Sequence, residues 1–469
     1  MPAKEASGLI SRTVSRFRRL WADAANDSEG SLHVSPDLPD KDFEKIRGQM
    51  LECLEVRGGE VSARGRAASL GQTYLQLNDT GKTRFLSLIA QHFGPDPNAV
   101  GLAIASYQST EAAERVVAEA NLREALYAPR LNLLTQFNAL PQGVKFLVDM
   151  RADLLRLKDD DPSMNALDTD LKNMLSSWFD VGFLELKRLT WESPAAILEK
   201  LIEYESVHEI RSWQDLRNRL DHDRRLYAFF HPRMPEEPLI FVEVALTRGI
   251  ARDVQIILDV DAPIADPSSA DTAIFYSISN TQEGLRGISF GNFLIKRVVE
   301  SLQRDMPNLK KFSTLSPIPL FRRWLQNAVA DGLPGLLTQD DRKQLTAALG
   351  ERANKGDLIR VLEQPDWHED EKLAEALKKP LMRLCARYLT KEKKRGHAPF
   401  DPVARFHLGN GARIEQLNWM GDNSVNGLKQ SFGIMVNYLY DLSDIEENHE
   451  HFAREGRIAT SSQIRGLSD

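Results

Sequence analysis

The chain has 469 residues, more than one hydrophobic core usually serves, so two or three domains are expected. Hydrophobic residues make up 42% of it, enough to build those cores, yet no apolar run approaches the length needed to span a bilayer. A formal charge of -7 argues against nucleic acid as the main partner, and Cys53 and Cys385, far apart in sequence, offer neither a disulfide framework nor a zinc cluster.

The first residues place Arg12, Arg16, Arg18 and Arg19 among Leu9, Ile10, Val14, Phe17 and Leu20. Mitochondrial transit peptides share that composition, but with Glu5 and Asp23 present an ordinary amphipathic helix is the expectation, and the cytoplasm the expected location. From residue 40 to about 178 apolar residues recur at helical spacing, over 43–56, 61–77, 84–93, 110–126, 131–137 and 143–157. Gly58-Gly59, Gly94-Pro95, Pro97, Pro129 and Pro141 punctuate these segments, which predicts a helix bundle. Gly81-Lys82-Thr83 imitates the end of a Walker A loop, but the first glycine of that motif falls on Gln76, so a P-loop is excluded. Thr80 is read instead as the cap of the helix over 84–93. Helices are then expected over 186–201 and 213–221. After His231-Pro232 the pattern turns to strands, over 239–247, 256–258 and 273–278. The break between the two regimes falls near residue 176, giving domains 1–175 and 176–469.

Residues 275–325 read FYSISNTQEGLRGISFGNFLIKRVVESLQRDMPNLKKFSTLSPIPLFRRWL. Here a β-prone run, 272–278, feeds a helix over 293–306 through a loop holding Gly284, Gly287 and Gly291. Glycines let the backbone approach a bulky anion, and Asn292 stands at the expected helix start, where free N–H groups and the helix dipole favour a phosphate. Tight packing alone explains many such turns, and GLRGISFG lacks the G-x-G-x-x-G spacing of a Rossmann fingerprint. A short strand, 311–315, then ends at Ser316 in Thr-Leu-Ser-Pro-Ile-Pro. On the residues alone, a cap for the helix over 321–325 is the commoner role for such a serine. His407, in Arg405-Phe406-His407-Leu408-Gly409-Asn410-Gly411, is read on an apolar strand entering a turn, where a buried, hydrogen-bonded histidine is the commoner case. His231 is read as structural. His449 and His451, among Glu446, Glu447 and Glu450, make poor metal ligands.

RGISFGNFLI resembles the acyl-CoA loop of the N-acetyltransferase (GNAT) fold, whose pattern is Arg or Gln, two residues, Gly, one residue, then Gly or Ala. Arg286 and Gly291 occupy the outer positions, and Ser289 replaces the first glycine. FYSIS, TQEGLRG, FLIKRVV, TLSPIP followed by FRRWL, ARFHLGNGA, NWMGD and MVNYLY together resemble the malonyl-CoA decarboxylase family, densely from about Arg224 to Leu442. The resemblance implies an α+β protein: an N-terminal all-α helical bundle followed by a GNAT-like mixed α/β catalytic domain. It implies a carboxy-lyase that converts malonyl-CoA to acetyl-CoA and carbon dioxide, with no cofactor beyond the CoA of its substrate, no metal, no nucleic acid or membrane partner, and assembly as a homo-oligomer.

The family's active-site serine and histidine fall on Ser316 and His407, and its CoA loop on Arg286, Gly287, Ile288, Ser289, Phe290, Gly291 and Asn292. Asn410 and Tyr438 are candidate supporting groups, and Arg286, Lys296 or Arg297 could meet a phosphate. The chemistry needs little machinery, because the thioester carbonyl is itself the electron sink. A thioesterase is disfavoured, since no G-x-S-x-G elbow surrounds Ser316 and no acidic third member is evident. An acyltransferase using the same loop, and an acyl-CoA sensor without turnover, are the rival readings.

Overall fold

The computed structural model describes residues 34–55, 59–288, 294–350, 355–393 and 399–468, together with Phe17 and Trp21. Between Asp40 and Trp178 helices follow one another: Asp40–Leu54, Gly59–Tyr74, Asp79–His92, Pro97–Ser109, Arg115–Ala125, Pro129–Asn138, Gly143–Leu157 and Pro162–Trp178. Asn78, Asp96 and Asp161 each turn a side-chain oxygen back onto a backbone N–H of the first turn, and Pro97, Pro129 and Pro162 sit where a missing N–H costs nothing. That chemistry corrects two expectations. Pro97, read as a break, opens a helix, and the segment expected over 110–126 shortens to Arg115–Ala125. The cap read at Thr80 belongs to Asn78, and Gly81 is a packing residue: a Cβ there would lie 2.1 Å from the Pro36 carbonyl oxygen.

Two compact units result, one of residues 1–185, 230–239 and 280–290, the other of 186–229, 240–279 and 291–469. The first is built on aromatic rings. Trp21 meets Phe146 edge-on at 4.9 Å between centroids, Phe137 meets Phe146 at 5.2 Å, and Tyr74 meets Phe85 at 5.1 Å. Such geometry sets each ring's positive edge against a neighbour's negative face.

Seven strands form one mixed sheet: β1 (Glu185–Leu189), β2 (Arg224–His231), β3 (Met234–Thr247), β4 (Thr272–Asn280), β5 (Lys311–Thr314), β6 (Arg413–Asn418) and β7 (Met435–Leu439), in the order β1-β2-β3-β4-β5-β7-β6. A helical N-terminal region followed by a mixed α/β domain is the fold class expected from the sequence. Three local readings change. The helix expected over 186–201 is β1 followed, after Pro194, by the helix Ala195–Tyr204. The strand expected over 256–258 is the helix Val254–Leu258, started by Asp253, whose carboxylate accepts from Gln255 N. And β2 ends on His231, in a stretch where no strand was expected.

The end of β5 positions the candidate site. β4 and β5 run parallel, in register from Thr272 opposite Lys311 to Phe275 opposite Thr314, and the crossover between them contains the helix Leu294–Asp305. β5 also pairs with β7, Ser313 opposite Leu439, and past Thr314 the alternation continues: Leu315 N donates to Phe275 O at 2.9 Å, and Ser316 exchanges both backbone hydrogen bonds with Val436 of β7, at 2.8 and 3.0 Å. Pro317 and Pro319 then remove two donors from the departing chain. Buried amides brace this strand end: Asn437 Nδ2 donates to Thr314 O at 2.5 Å, while Gln416 Nε2 and Asn418 Nδ2 donate to Asn437 Oδ1 at 3.0 and 2.6 Å.

Candidate active site

Ser316, at the end of β5 between β4 and β7, is 5% exposed. Its hydroxyl donates to Thr314 Oγ1 at 2.8 Å and stands 3.3 Å from His407 Nε2. The two residues are 91 positions apart, and the structure brings them together.

His407 lies on the helix Pro402–Gly409, which corrects the strand expected there. Asp401 starts that helix: Oδ1 accepts from Val403 N and Ala404 N at 2.9 Å each, Oδ2 accepts from the Tyr388 hydroxyl at 3.2 Å, and Pro402 takes the first helical position. At the other end the chain reverses through Gly411 at φ 82°, where a Cβ would lie 2.1 Å from Ile445 O. His407 is therefore held between a capped start and a glycine stop, with 3% exposure.

Around the imidazole, the Tyr440 hydroxyl is 2.8 Å from Nδ1, and the Tyr438 ring stacks on it at 4.6 Å and 23°. Tyr438 and Tyr440 are two residues apart on an extended chain, so both rings share a face. Tyr438 Oη and Asn410 Oδ1 are buried, and among the described residues neither has a hydrogen-bond partner. Asn410 Nδ2 donates back to Phe406 O at 2.7 Å, closing the helix end.

Burial pushes the His407 pKa down from 6.5 to about 3. A helix C-terminus favours a cation by only about 0.3–1 kcal/mol, less than one pKa unit, so desolvation decides and the ring is neutral. Its single N–H must then be on one nitrogen. Ser316 gives its proton to Thr314, so a lone pair is left toward His407, and Nε2 is the donor across the 3.3 Å contact. Nδ1 is left as acceptor for the Tyr440 hydroxyl, which burial keeps protonated by raising its pKa. One directed chain follows: Tyr440 Oη–H to Nδ1, Nε2–H to Ser316 Oγ, Ser316 Oγ–H to Thr314 Oγ1.

Of the expected CoA loop, Arg286 is exposed and ion-paired with Glu283 at 2.6 Å, Gly287 takes φ 77° and Ile288 is buried. Ser289, Phe290, Gly291 and Asn292 lie outside the described residues. Arg151 fixes the segment leading into the loop, donating to Gly284 O at 2.7 Å and Arg286 O at 3.0 Å while pairing with Asp168 at 2.8 Å. Gly284 must be glycine, because a Cβ would sit 1.8 Å from Val148 O. Lys172, which the sequence reading passed over, brings Nζ to 3.7 Å from where a Gly287 Cβ would stand. By contrast Lys296 pairs with Glu446 at 2.8 Å, and Arg297 lies over the Phe229 ring at 5.5 Å.

The remaining candidates have local partners. His231 Nε2 meets Trp178 O at 3.1 Å and its Nδ1 accepts from Arg233 N. His449 Nδ1 meets Gly409 O at 2.7 Å, and His451 lies between Glu447 and Glu455 on the helix Ile445–Glu455. Among the described residues no group of three or more His, Cys, Asp or Glu could hold a metal, and no helix is long and apolar enough to cross a membrane. Cys53 and Cys385 are buried free thiols.

Two family models match: the malonyl-CoA decarboxylase N-terminal domain over residues 93–179, and the malonyl-CoA decarboxylase C-terminal domain over 182–468. The mitochondrial malonyl-CoA decarboxylase of Rattus norvegicus is 39% identical over 447 residues, covering 92% of this chain and 87% of its own. That of Anser anser anser is 41% identical over 400 residues, 82% of this chain and 79% of its own. Among solved structures, malonyl-CoA decarboxylase from Rhodopseudomonas palustris superposes with a TM-score of 0.83 at 43% identity, covering 90% of this chain and 99% of that one. The Agrobacterium vitis structure gives 0.81 at 43%, covering 91% and 100%.

The neutral imidazole has a measurable cost. Between the ordinary 6.5 and the native value near 3, the unfolded chain binds a proton that folded His407 refuses, so stability is lost as pH falls below 6.5. The slope from this one group approaches about 1.4 kcal/mol per pH unit. Denaturant titrations of wild type and His407→Gln should therefore converge on acidification, with the wild type losing stability faster; parallel pH dependences would contradict the buried neutral ring.

Proposed function

The chain belongs to the malonyl-CoA decarboxylase family, and from that premise we propose the route by which it turns malonyl-CoA into acetyl-CoA and carbon dioxide. The observation that carries the reading is the Ser316–His407 contact inside a buried hydroxyl-rich site. The substrate carboxylate is held with its C–C bond perpendicular to the thioester plane, so the breaking bond overlaps the carbonyl. Carbon dioxide leaves, the electron pair passes into the thioester, and an enolate remains. The unmet Tyr438 hydroxyl is the proposed donor to a substrate oxygen, and Ser316 Oγ is proposed to hold the His407 Nε2–H in place beside it. His407 Nε2–H then protonates the carbon to give acetyl-CoA, the Tyr440 hydroxyl shares the charge left on the ring, and water returns one proton as product departs.

A neutral histidine suits this task. An imidazolium beside the substrate carboxylate would stabilise the ground state, which must lose its charge, as much as the enolate. No electron-sink cofactor is needed, since the thioester fills that role. The same geometry speaks against a hydrolase: a serine nucleophile must hand its proton to histidine, and Ser316 hands it to Thr314.

The CoA pyrophosphate is assigned to the loop from Arg286 to Asn292, with Lys172 added as a cation beside Gly287. Two buried thiols suit a reducing compartment, and the cytoplasm is the proposed location. The helical part, 1–175, is proposed to join copies of the chain. No residue of the helix Pro97–Ser109 is buried, and Leu102 and Val116 are 74% and 75% exposed. Acids and bases alternate beside them, as in Glu114, Arg115, Glu119 and Arg123, so a symmetric copy can meet that surface with opposite charges.

Purified protein given malonyl-CoA alone, without an amine acceptor, should release carbon dioxide and acetyl-CoA. Binding without turnover would leave the sensor, and a requirement for an amine the acyltransferase. Ser316→Ala and His407→Gln should each lower kcat roughly a hundred- to ten-thousandfold with KM little changed. Lys172→Ala should instead raise KM several-fold. Full activity in both dyad variants would remove the mechanism. Light scattering should give the wild type a multiple of 52.9 kDa, and Leu102→Glu with Val116→Glu should lower it; an unchanged mass would contradict the proposed surface.

A further inference from the structure

We propose that Thr314 is a positioning residue whose hydroxyl oxygen takes the Ser316 proton, and thereby keeps His407 a proton donor and Ser316 unreactive toward the thioester. The inference rests on the decarboxylase reading above. Thr314 is fully buried on β5, with its backbone set by the register opposite Phe275 and by Asn437 Nδ2 on its carbonyl. Its side chain is pinned as well: Tyr438 N donates to Thr314 Oγ1 at 3.1 Å. Ser316 supplies the second donor at 2.8 Å. Two donors on one hydroxyl oxygen occupy both of its lone pairs. Valine, equal in shape, would leave both Tyr438 N and the Ser316 hydroxyl without this acceptor, so the Thr314 oxygen holds a backbone donor of β7 and the Ser316 proton together.

The consequence runs through proton count. Ser316 has one proton, and while Thr314 holds it His407 must present Nε2–H. Remove the Thr314 oxygen, and among the described residues the remaining acceptor partnered with Ser316 Oγ is His407 Nε2. The ring then changes tautomer, with Nδ1–H donating to Tyr440. That arrangement can no longer protonate an enolate, and it is the one that activates a serine. Ser316 could then attack the thioester carbonyl, forming a C–O bond and breaking C–S, while its proton passes through Nε2 to the departing CoA thiolate; water would later cleave the ester to a carboxylic acid.

The test measures carbon dioxide and free CoA thiol together, in wild type, Thr314→Val and Thr314→Ser. Thr314→Val should lose decarboxylation roughly ten- to a hundredfold, while the ratio of thiol to carbon dioxide rises by at least about tenfold. Thr314→Ser restores the acceptor and should keep the wild-type ratio. A merely structural role lowers both products in parallel and leaves the ratio fixed, which would overturn the proposal, as would full decarboxylation in Thr314→Val. If Thr314→Val does not fold, Thr314→Ala removes the same oxygen with less crowding and carries the same expectations. Failure of the wild type to decarboxylate would sink the parent reading instead, so the two failures are distinguishable.

Discussion

A serine hydroxyl has one proton, and at Ser316 two neighbours could take it. Thr314 Oγ1 stands at 2.8 Å and His407 Nε2 at 3.3 Å, and the shorter contact takes the proton. Everything chemical in the site follows from that choice, because a neutral imidazole has only one N–H to place. With Ser316 facing away, the ring donates from Nε2 and accepts at Nδ1. The constellation resembles a hydrolytic pair in composition and is opposite to one in direction.

The fold supplies this choice through strand pairing rather than through a loop. β5 lies between β4 and β7, and the chain at its end alternates between them, Leu315 bonding to Phe275 and Ser316 to Val436, which brings Thr314 and Ser316 beside Tyr438. The amides of Gln416, Asn418 and Asn437 tie β6, β7 and β5 together at the same level. Buried polar networks of this kind are stabilising only when satisfied, and these are. The unmet atoms nearby, Tyr438 Oη and Asn410 Oδ1, stand out for that reason: leaving a buried polar atom unpaired costs about 1–3 kcal/mol, which is why Tyr438 is proposed to meet a substrate oxygen.

Much of this was legible in the sequence, but unevenly. The run from β4 to Ser316 was read with bounds within a few residues, because glycines and a sharp change of hydrophobic period mark each junction locally. Gly143–Leu157 was found at its true ends for the same reason. The partnership of Ser316 with His407 came from family resemblance, since no local rule links positions 91 apart. The helix carrying His407 was misread although Asp401-Pro402 is a good start signal; Ala-Arg-Phe-His-Leu is too short for its period to tell helix from strand. The same shortness misplaced Ile256–Leu258. Tyr440 and Thr314 sat inside motifs already singled out, and their roles stayed hidden because a hydroxyl's direction is decided by tertiary distances of a few tenths of an ångström.

One proton, on His407 Nε2, sets the direction of the whole site, and nitrogen-15 NMR of histidine-labelled protein reads its position directly. The signal absent from His407→Gln identifies this ring among the ten histidines. At neutral pH it should show a protonated Nε2 and a bare Nδ1, unchanged as pH falls through the ordinary histidine value of 6.5. A proton on Nδ1, or a doubly protonated ring near neutrality, would contradict the directed chain from Tyr440 to Thr314.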